Sequence, residues 1–229
     1  MTPADGISAM LVDYTRDEYH RRRHPEFLGN EALLEAWSHF ANLAYFSETK
    51  AGESVLEYGG GFGQNLVAVA RRARVCLVEP SRVGREAAEA HGIEVFRDLA
   101  EVGERRFDVV LCRHVLEHLD HPLRDLEQLR ARLEPSGRVI VVVPVEDPRQ
   151  GPDRCDLNHH LYCWNPQTLC NLLSRAGLRD VRWRFEYYGA RRRLLPIYTR
   201  FGGPAYARAV RAVGRLFRFR ELVGEARRD

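Results

Sequence analysis

The stretch "SVLEYGGGFGQN", Ser54 to Asn65, decides how this 229-residue chain folds. An apolar run ends in Glu57 and Tyr58, gives way to four glycines in five residues, and is followed by "NLVAVARRA". A short apolar run bounded by glycine reads as a strand buried on both faces. The spacing after it predicts a helix over Gln64 to Ala73. Glycine lets backbone pass close to a ligand with no side chain between them, so the carboxyl end of this strand is a candidate ligand site.

The alternation continues on both sides. "EALLEAWSHFANLAYF" (31–46) has helical apolar spacing; "RVCLVEP" is a strand ending at Glu79; "SRVGREAAEAHG" is a helix capped by Ser81 and stopped by Gly92. "IEVF" and "RFDVVLCR" are strands, and "HPLRDLEQLRARLEPSG" is predicted as a helix closed by Pro135 and Gly137. "RVIVVVPV" is a strand, and "NPQTLCNLLSRAG" is a helix with Asn165 as cap, Pro166 in its first turn and Gly177 at its end. "LRDVRWRFEYYG" is a long strand, "PAYARAVRAVGRLF" a helix and "RFRELVGEARRD" a final strand. Strands alternating with helices imply an α/β fold with a parallel sheet covered on both faces.

Ligands of such sheets gather beyond the carboxyl ends of the strands. Glu79 follows the second strand, 22 residues after Glu57, where a carboxylate can accept from both hydroxyls of a ribose. The dinucleotide fingerprint GxGxxG fits in neither register: its third glycine would fall on Gln64 or on Leu66. The order is instead ExGxGxG, carried by Glu57, Gly59, Gly61 and Gly63.

Taken in order, "LEYGGGFGQN", "LVEPS", "FDVVLCRHVLEHL" and "LEPSGRVIVVVP" resemble the class I S-adenosylmethionine-dependent methyltransferases, over about residues 52–145. "HHLYCWNPQTLCNLLSRAGL" looks like the continuation in small-molecule members, and "RELVGEARR" like their last strand. The resemblance implies a Rossmann-like, mostly parallel sheet of seven strands with the last antiparallel, a helical N-terminal cap segment over 1–50, and a methyltransferase domain over 51–229. It implies S-adenosyl-L-methionine as cofactor and S-adenosyl-L-homocysteine as product. Glu57 with the backbone of Gly59 and Gly61, in the loop that Gly63 closes, would hold the methionine end. Glu79 would hold the ribose, Pro80 would flank the adenine, and Asp98 and Leu99 would meet its amino group and ring edge. Cys112 and Arg113 would line the cofactor's amino group, mainly by backbone; Glu117 and His118, the "LEH" signature, read as buried, hydrogen-bonded structure.

Methyl transfer from a sulfonium is an in-line displacement needing alignment, exclusion of water and, for some acceptors, removal of a proton. Histidine suits that last task, with an ordinary pKa near 6.5. His159 and His160, in "DLNHHLYCW", are the preferred bases, with His114 next and Glu146 a further candidate. Tyr14, Tyr19 and His20 precede the core and are candidates to close over the cofactor. No metal is expected of "CRHVLEHLDH": His121 precedes Pro122 at a new helix start, and no Cys/His set at zinc spacing occurs elsewhere.

Composition bounds the partners. Hydrophobic residues are 45%, charged residues 29% and net charge +3, ordinary for a soluble globular protein. No apolar run spans a bilayer and no signal peptide is read at "MTPADGISAM", so the expected compartment is the cytoplasm. The five cysteines form no CxxC pair and read as reduced packing thiols. Lys50 is the only lysine, and thirteen arginines follow from Arg182 onward. The expected acceptor is a small molecule in a biosynthetic pathway, with O-methylation slightly favoured over N- or C-methylation. The alternatives are an RNA or protein methyltransferase using the arginine-rich end, and a non-catalytic cofactor-binding scaffold. Nucleic acid and membrane are not expected partners, and a homodimer is left open.

Overall fold

A computed structural model describes Arg21, residues 25–147 and residues 158–229. Tyr14, Tyr19, His20 and Cys155 lie outside the described residues. Helix α1 (Glu31–Tyr45) starts at Asn30, whose side chain accepts from Leu33 N at 3.1 Å. Strands β1 (Ser54–Tyr58) and β2 (Arg74–Val78) lead to α2 (Arg82–Glu89), capped by Ser81. Next come β3 (Glu94–Phe96), β4 (Phe107–Arg113), a 3₁₀ turn at Leu116–His118, and α3 (Pro122–Ala131). The chain closes with β5 (Leu133–Pro144), α4 (Pro166–Arg175), β6 (Arg179–Tyr187), α5 (Leu195–Phe217, kinked at Gly202) and β7 (Arg220–Arg227).

The strands form one sheet in the order β3-β2-β1-β4-β5-β7-β6. β1 to β5 run parallel, and β7 enters antiparallel between β5 and β6. Successive side chains of a strand face opposite ways. Val55, Leu77, Val109, Leu111, Ile140 and Val142 therefore join one core with α1 and α5, while Leu56, Val78, Val110, Cys112, Val139 and Val141 join a second with α3 and α4. That two-sided burial is why the strand sequences show no polar alternation. No helix among the described residues is long and apolar enough to cross a membrane.

Two expected helices differ. Residues 64–73 wind as consecutive turns rather than a regular helix. Ala68 N donates to Ser38 Oγ at 2.5 Å, and the remaining bonds mix three-residue and four-residue spans, such as Leu66 N to Gly63 O and Ala70 N to Leu66 O. The donor taken by α1 is missing from the helical ladder. The helix before β5 ends at Ala131, so Pro135 and Gly137 lie inside β5 rather than beyond a helix. There β4 and β5 shift register between Phe107 and Val109, an irregularity where proline's missing N–H is tolerated.

One buried ion pair crosses the sheet. Glu221 on β7 is fully buried and meets Arg113 of β4 at 2.8 Å, while the Tyr45 hydroxyl of α1 donates to the same carboxylate. Burial alone would raise the Glu221 carboxyl, but Arg113 and the hydrogen bond from His114 hold it down to about 2. Glu221→Gln should cost about 3–5 kcal/mol in urea unfolding, since it leaves the guanidinium buried without its counter-charge. In the parent chain the pair's contribution should be complete above about pH 4.5 and fade as pH falls toward about 2. A variant as stable as the parent at neutral pH would show that the pair carries no such weight.

Candidate functional site

The register aligns the ends of four strands. Tyr58 pairs with both Val78 and Cys112, and Val78 pairs with Phe96. Gly59, Glu79 and Arg97 therefore leave the sheet level with Arg113, the last residue of β4, and the expected cofactor residues stand along one edge.

Glu57 is fully buried at the end of β1. Its Oε1 accepts from Asn65 Nδ2 at 2.5 Å, and Asn65 Oδ1 in turn accepts from Trp37 Nε1 at 2.9 Å. Its Oε2 has no partner. The carboxyl lies directly beneath the glycine loop: a Cβ on Gly60 would fall 2.7 Å from that oxygen. Burial pushes the Glu57 carboxyl up to about 8, against the Asn65 hydrogen bond that lowers it. Gly59 and Gly61 take left-handed backbone, φ 73° and 57°, and a Cβ at Gly59 would overlap Val115 at 2.4 Å. Gly63 instead packs against Ile93 and Ala88 of the core.

The Glu79 carboxylate is held by the loop itself, accepting from Gly61 N at 2.9 Å and Ser81 N at 2.8 Å. Pro80 is exposed beside it, and the Pro80 carbonyl accepts from Arg85. Asp98 caps the turn after β3, accepting from Ala100 N and Glu101 N at 2.9 and 3.1 Å, and Leu99 packs against the second core. Cys112 is buried, and its thiol is raised by burial. The Arg113 side chain turns away into the Glu221 pair, among the rings of Trp37, Tyr45 and Tyr188.

The histidines converge beyond β4. His114 adopts left-handed backbone, φ 54°, which brings its Nε2 to 2.9 Å from Glu221 Oε2 and its Nδ1 to 3.8 Å from Glu117 Oε1. Burial and Arg113 push its pKa down to about 4. His160 arrives from a distant loop, fastened because Leu161 N and Tyr162 N both donate to the Glu117 carbonyl, at 2.8 and 3.3 Å. Its Nδ1 bonds Glu146, which also accepts from Cys163 Sγ at 2.9 Å. The His118 and His160 rings meet edge to face at 4.8 Å. His159 is half-buried next to His160, also in left-handed backbone. His121 caps α3 from outside this group, as its sequence position suggests.

Glu117 is buried as expected, but neither carboxylate oxygen has the expected hydrogen bond. Burial pushes it up to about 8. Spacing does not reveal this cluster, because Glu117, Glu146 and His160 come from three separate segments. Glu221 and Asn65 are missed for the same reason; Glu221 follows Arg220 in the charged stretch "RFRELVGEARR", where no local signal singles it out.

A family model described as "Methyltransferase domain" matches residues 19–185. The chain belongs to this family. Its sheet is the class I S-adenosylmethionine-dependent methyltransferase fold. Among curated proteins, the chain resembles a ubiquinone biosynthesis O-methyltransferase of Alkalilimnicola ehrlichii, 30% identical over 100 residues. That match covers 39% of this chain and 40% of the relative's length. Among solved structures, Haemonchus contortus phosphoethanolamine N-methyltransferase 2, bound to phosphomonomethylethanolamine and S-adenosylhomocysteine, superposes with a TM-score of 0.62 at 16% identity. The superposition covers 95% of this chain and 60% of that one. A methyltransferase of Thermotoga maritima superposes with a TM-score of 0.61 at 15% identity, over 93% and 99% of the two chains.

Glu57 gives the site a measurable pH signature. The stability linked to its neutral form is complete below about pH 4.5 and is lost as pH rises through about 8. Glu57→Gln keeps the shape and cannot ionise. Its melting temperature should therefore gain steadily on the parent's between about pH 5 and 8.5. A constant difference across that range would show that the carboxylate ionises without penalty.

Proposed function

We propose that this chain is an S-adenosylmethionine-dependent methyltransferase acting on a small-molecule acceptor in a biosynthetic pathway, with oxygen the favoured target. The observation that carries the reading is the buried, unpartnered Glu57 oxygen beneath a loop that closes only with glycine. It fits a cationic ligand group, and S-adenosylmethionine presents an ammonium. That cofactor supplies, when bound, an electrophilic methyl group on a sulfonium. Glu57 and the backbone of Gly59 and Gly61 would hold its amino-acid end. Glu79, preset by Gly61 N and Ser81 N, would take the ribose hydroxyls. Asp98 and Leu99 would face the adenine with Pro80 at its flank, and the backbone at Cys112 and Arg113 would complete the wall. In the same proposal, residues 51–229 form the catalytic domain.

The acceptor would lie beyond β4 and β5, against the histidines. Burial and Arg113 push the His114 imidazole down to about 4, which makes it a weak base for a hydroxyl proton. His159 and His160 are therefore the preferred groups to take a hydroxyl proton. The likeness to a protein named for ubiquinone O-methylation supports an oxygen acceptor.

Glu79→Ala should weaken S-adenosylmethionine binding by about 1–3 kcal/mol in calorimetry, as a charged acceptor and the loop's anchor are lost together. Gly61→Val should abolish it, because a β-branched residue cannot hold φ near 57° without strain. Normal affinity in the valine variant would sink the cofactor assignment.

Labelled methyl transfer to a panel of phenols, carboxylates and amines would identify the acceptor. With a hydroxyl acceptor, one of His159→Ala and His160→Ala should lower turnover by about 10²–10⁴ while leaving cofactor affinity unchanged. Near-normal turnover in both variants, with a flat pH profile, would instead indicate an already nucleophilic acceptor such as an amine.

A further inference from the structure

Glu117 presents an unusual arrangement of charge. Its carboxylate is fully buried and neither oxygen has a hydrogen-bond partner. Three imidazole nitrogens face Oε1 at nearly equal distances: His114 Nδ1 at 3.8 Å, His118 Nε2 at 3.9 Å and His160 Nε2 at 4.0 Å. These separations are too long for hydrogen bonds. A cluster built only to bury a carboxylate would bring at least one imidazole N–H within bonding distance.

The geometry points to a divalent transition-metal site with Glu117, His118 and His160 as its three protein ligands and His114 beside them. The donor atoms of the first three all lie within 4.8 Å of one another. Ligands at about 2.0–2.2 Å from a tetrahedral ion stand about 3.3–3.6 Å apart. The set therefore closes on an ion with side-chain shifts of no more than about 1.5 Å. Two or three imidazoles with one carboxylate select zinc, cobalt or ferrous iron over magnesium and calcium, which take oxygen donors.

The surrounding groups follow the same logic. A metal-binding histidine ordinarily has its other nitrogen fixed by a carboxylate or a backbone carbonyl. His160 Nδ1 bonds Glu146, and His114 Nε2 meets Glu221 at 2.9 Å. The His160 and His114 rings are thus oriented from behind while their other nitrogens face Glu117. The expectation of no metal rested on spacing within "CRHVLEHLDH"; His160, 42 residues beyond His118, completes the set through the fold.

Such an ion keeps a position for an oxygen donor. Under the methyl-transfer reading that donor is the acceptor, and with His160 bound to metal the proton falls to His159. The metal site itself does not depend on that reading.

The test uses the full chain, stripped with chelator and titrated with Zn²⁺ or Co²⁺ alone. Calorimetry should show about one equivalent bound, cobalt should develop visible ligand-field bands, and the ion should raise the melting temperature. His160→Ala and Glu117→Gln should each weaken binding at least about tenfold, with circular dichroism showing a folded chain. If Glu117→Gln does not fold, His160→Ala, a loop position, decides the matter. Absence of stoichiometric binding, or unchanged binding in the variants, would overturn the site. Full cation binding with no methyl transfer to any acceptor would count against the proposed activity and leave the metal site standing.

Discussion

The buried pair between Arg113 and Glu221 is the constraint around which the site is organised. A charged carboxylate with no exposure is tolerable only with an opposite charge and further hydrogen bonds. Glu221 has both: Arg113 at 2.8 Å, the Tyr45 hydroxyl, and His114 at 2.9 Å. These partners come from β4, α1 and the turn after β4, whereas Glu221 belongs to β7, the one strand that runs against its neighbours. The pair spans β5, whose Val142 pairs with Arg113 and whose Pro144 pairs with Glu221. It thereby fixes how far β7 slides along β5, and through His114 it sets where the histidine cluster begins.

Three buried carboxylates along the same edge are treated in two opposite ways. Glu221 is compensated and stays ionised, whereas Glu57 and Glu117 are buried with oxygens lacking partners and are pushed toward the neutral form. Orphaned acceptors are costly inside a protein. Their presence at the end of β1 and just past β4 gives the proposed ligand sites a physical motive: an ammonium at one, a metal cation at the other.

Much of this architecture was legible in the sequence because sheet strands here are buried on both faces. "SVLEY", "RVCLV" and "RVIVVVP" stand out as apolar runs, and the Ser81 and Asn165 caps mark helix starts that the structure reproduces. The readings that failed depend on atoms distant in sequence. Nothing local in "NLVAVARRA" tells that Ser38 takes the Ala68 amide, and "LEPSG" has the composition of a helix stop although it is the start of an irregular strand. The glycine loop and Glu79 were singled out as candidates because one ordered motif carries them. The Glu117 cluster was not, because its members meet only after β5 and its following loop fold back. The arginine-rich end is likewise partly internal: Arg211 pairs with Glu186, Arg191 with Glu26, and Arg184 reaches the Ala44 carbonyl.

The loop that carries His160 is fastened by main-chain atoms: the amides of residues 161 and 162 grip the carbonyl of Glu117. That grip is indifferent to which side chains stand at Leu161 and Tyr162, provided neither becomes proline. Leu161 is well exposed, and the Tyr162 ring lies over Trp164. The chain thus separates the part of the loop that holds position from the part that meets the outside. Replacing Leu161 would change the shape and polarity offered to a visiting molecule without disturbing the imidazole one residue away, whereas the Tyr162 hydroxyl, donating to the Asp120 carbonyl at 3.1 Å, is part of the hold.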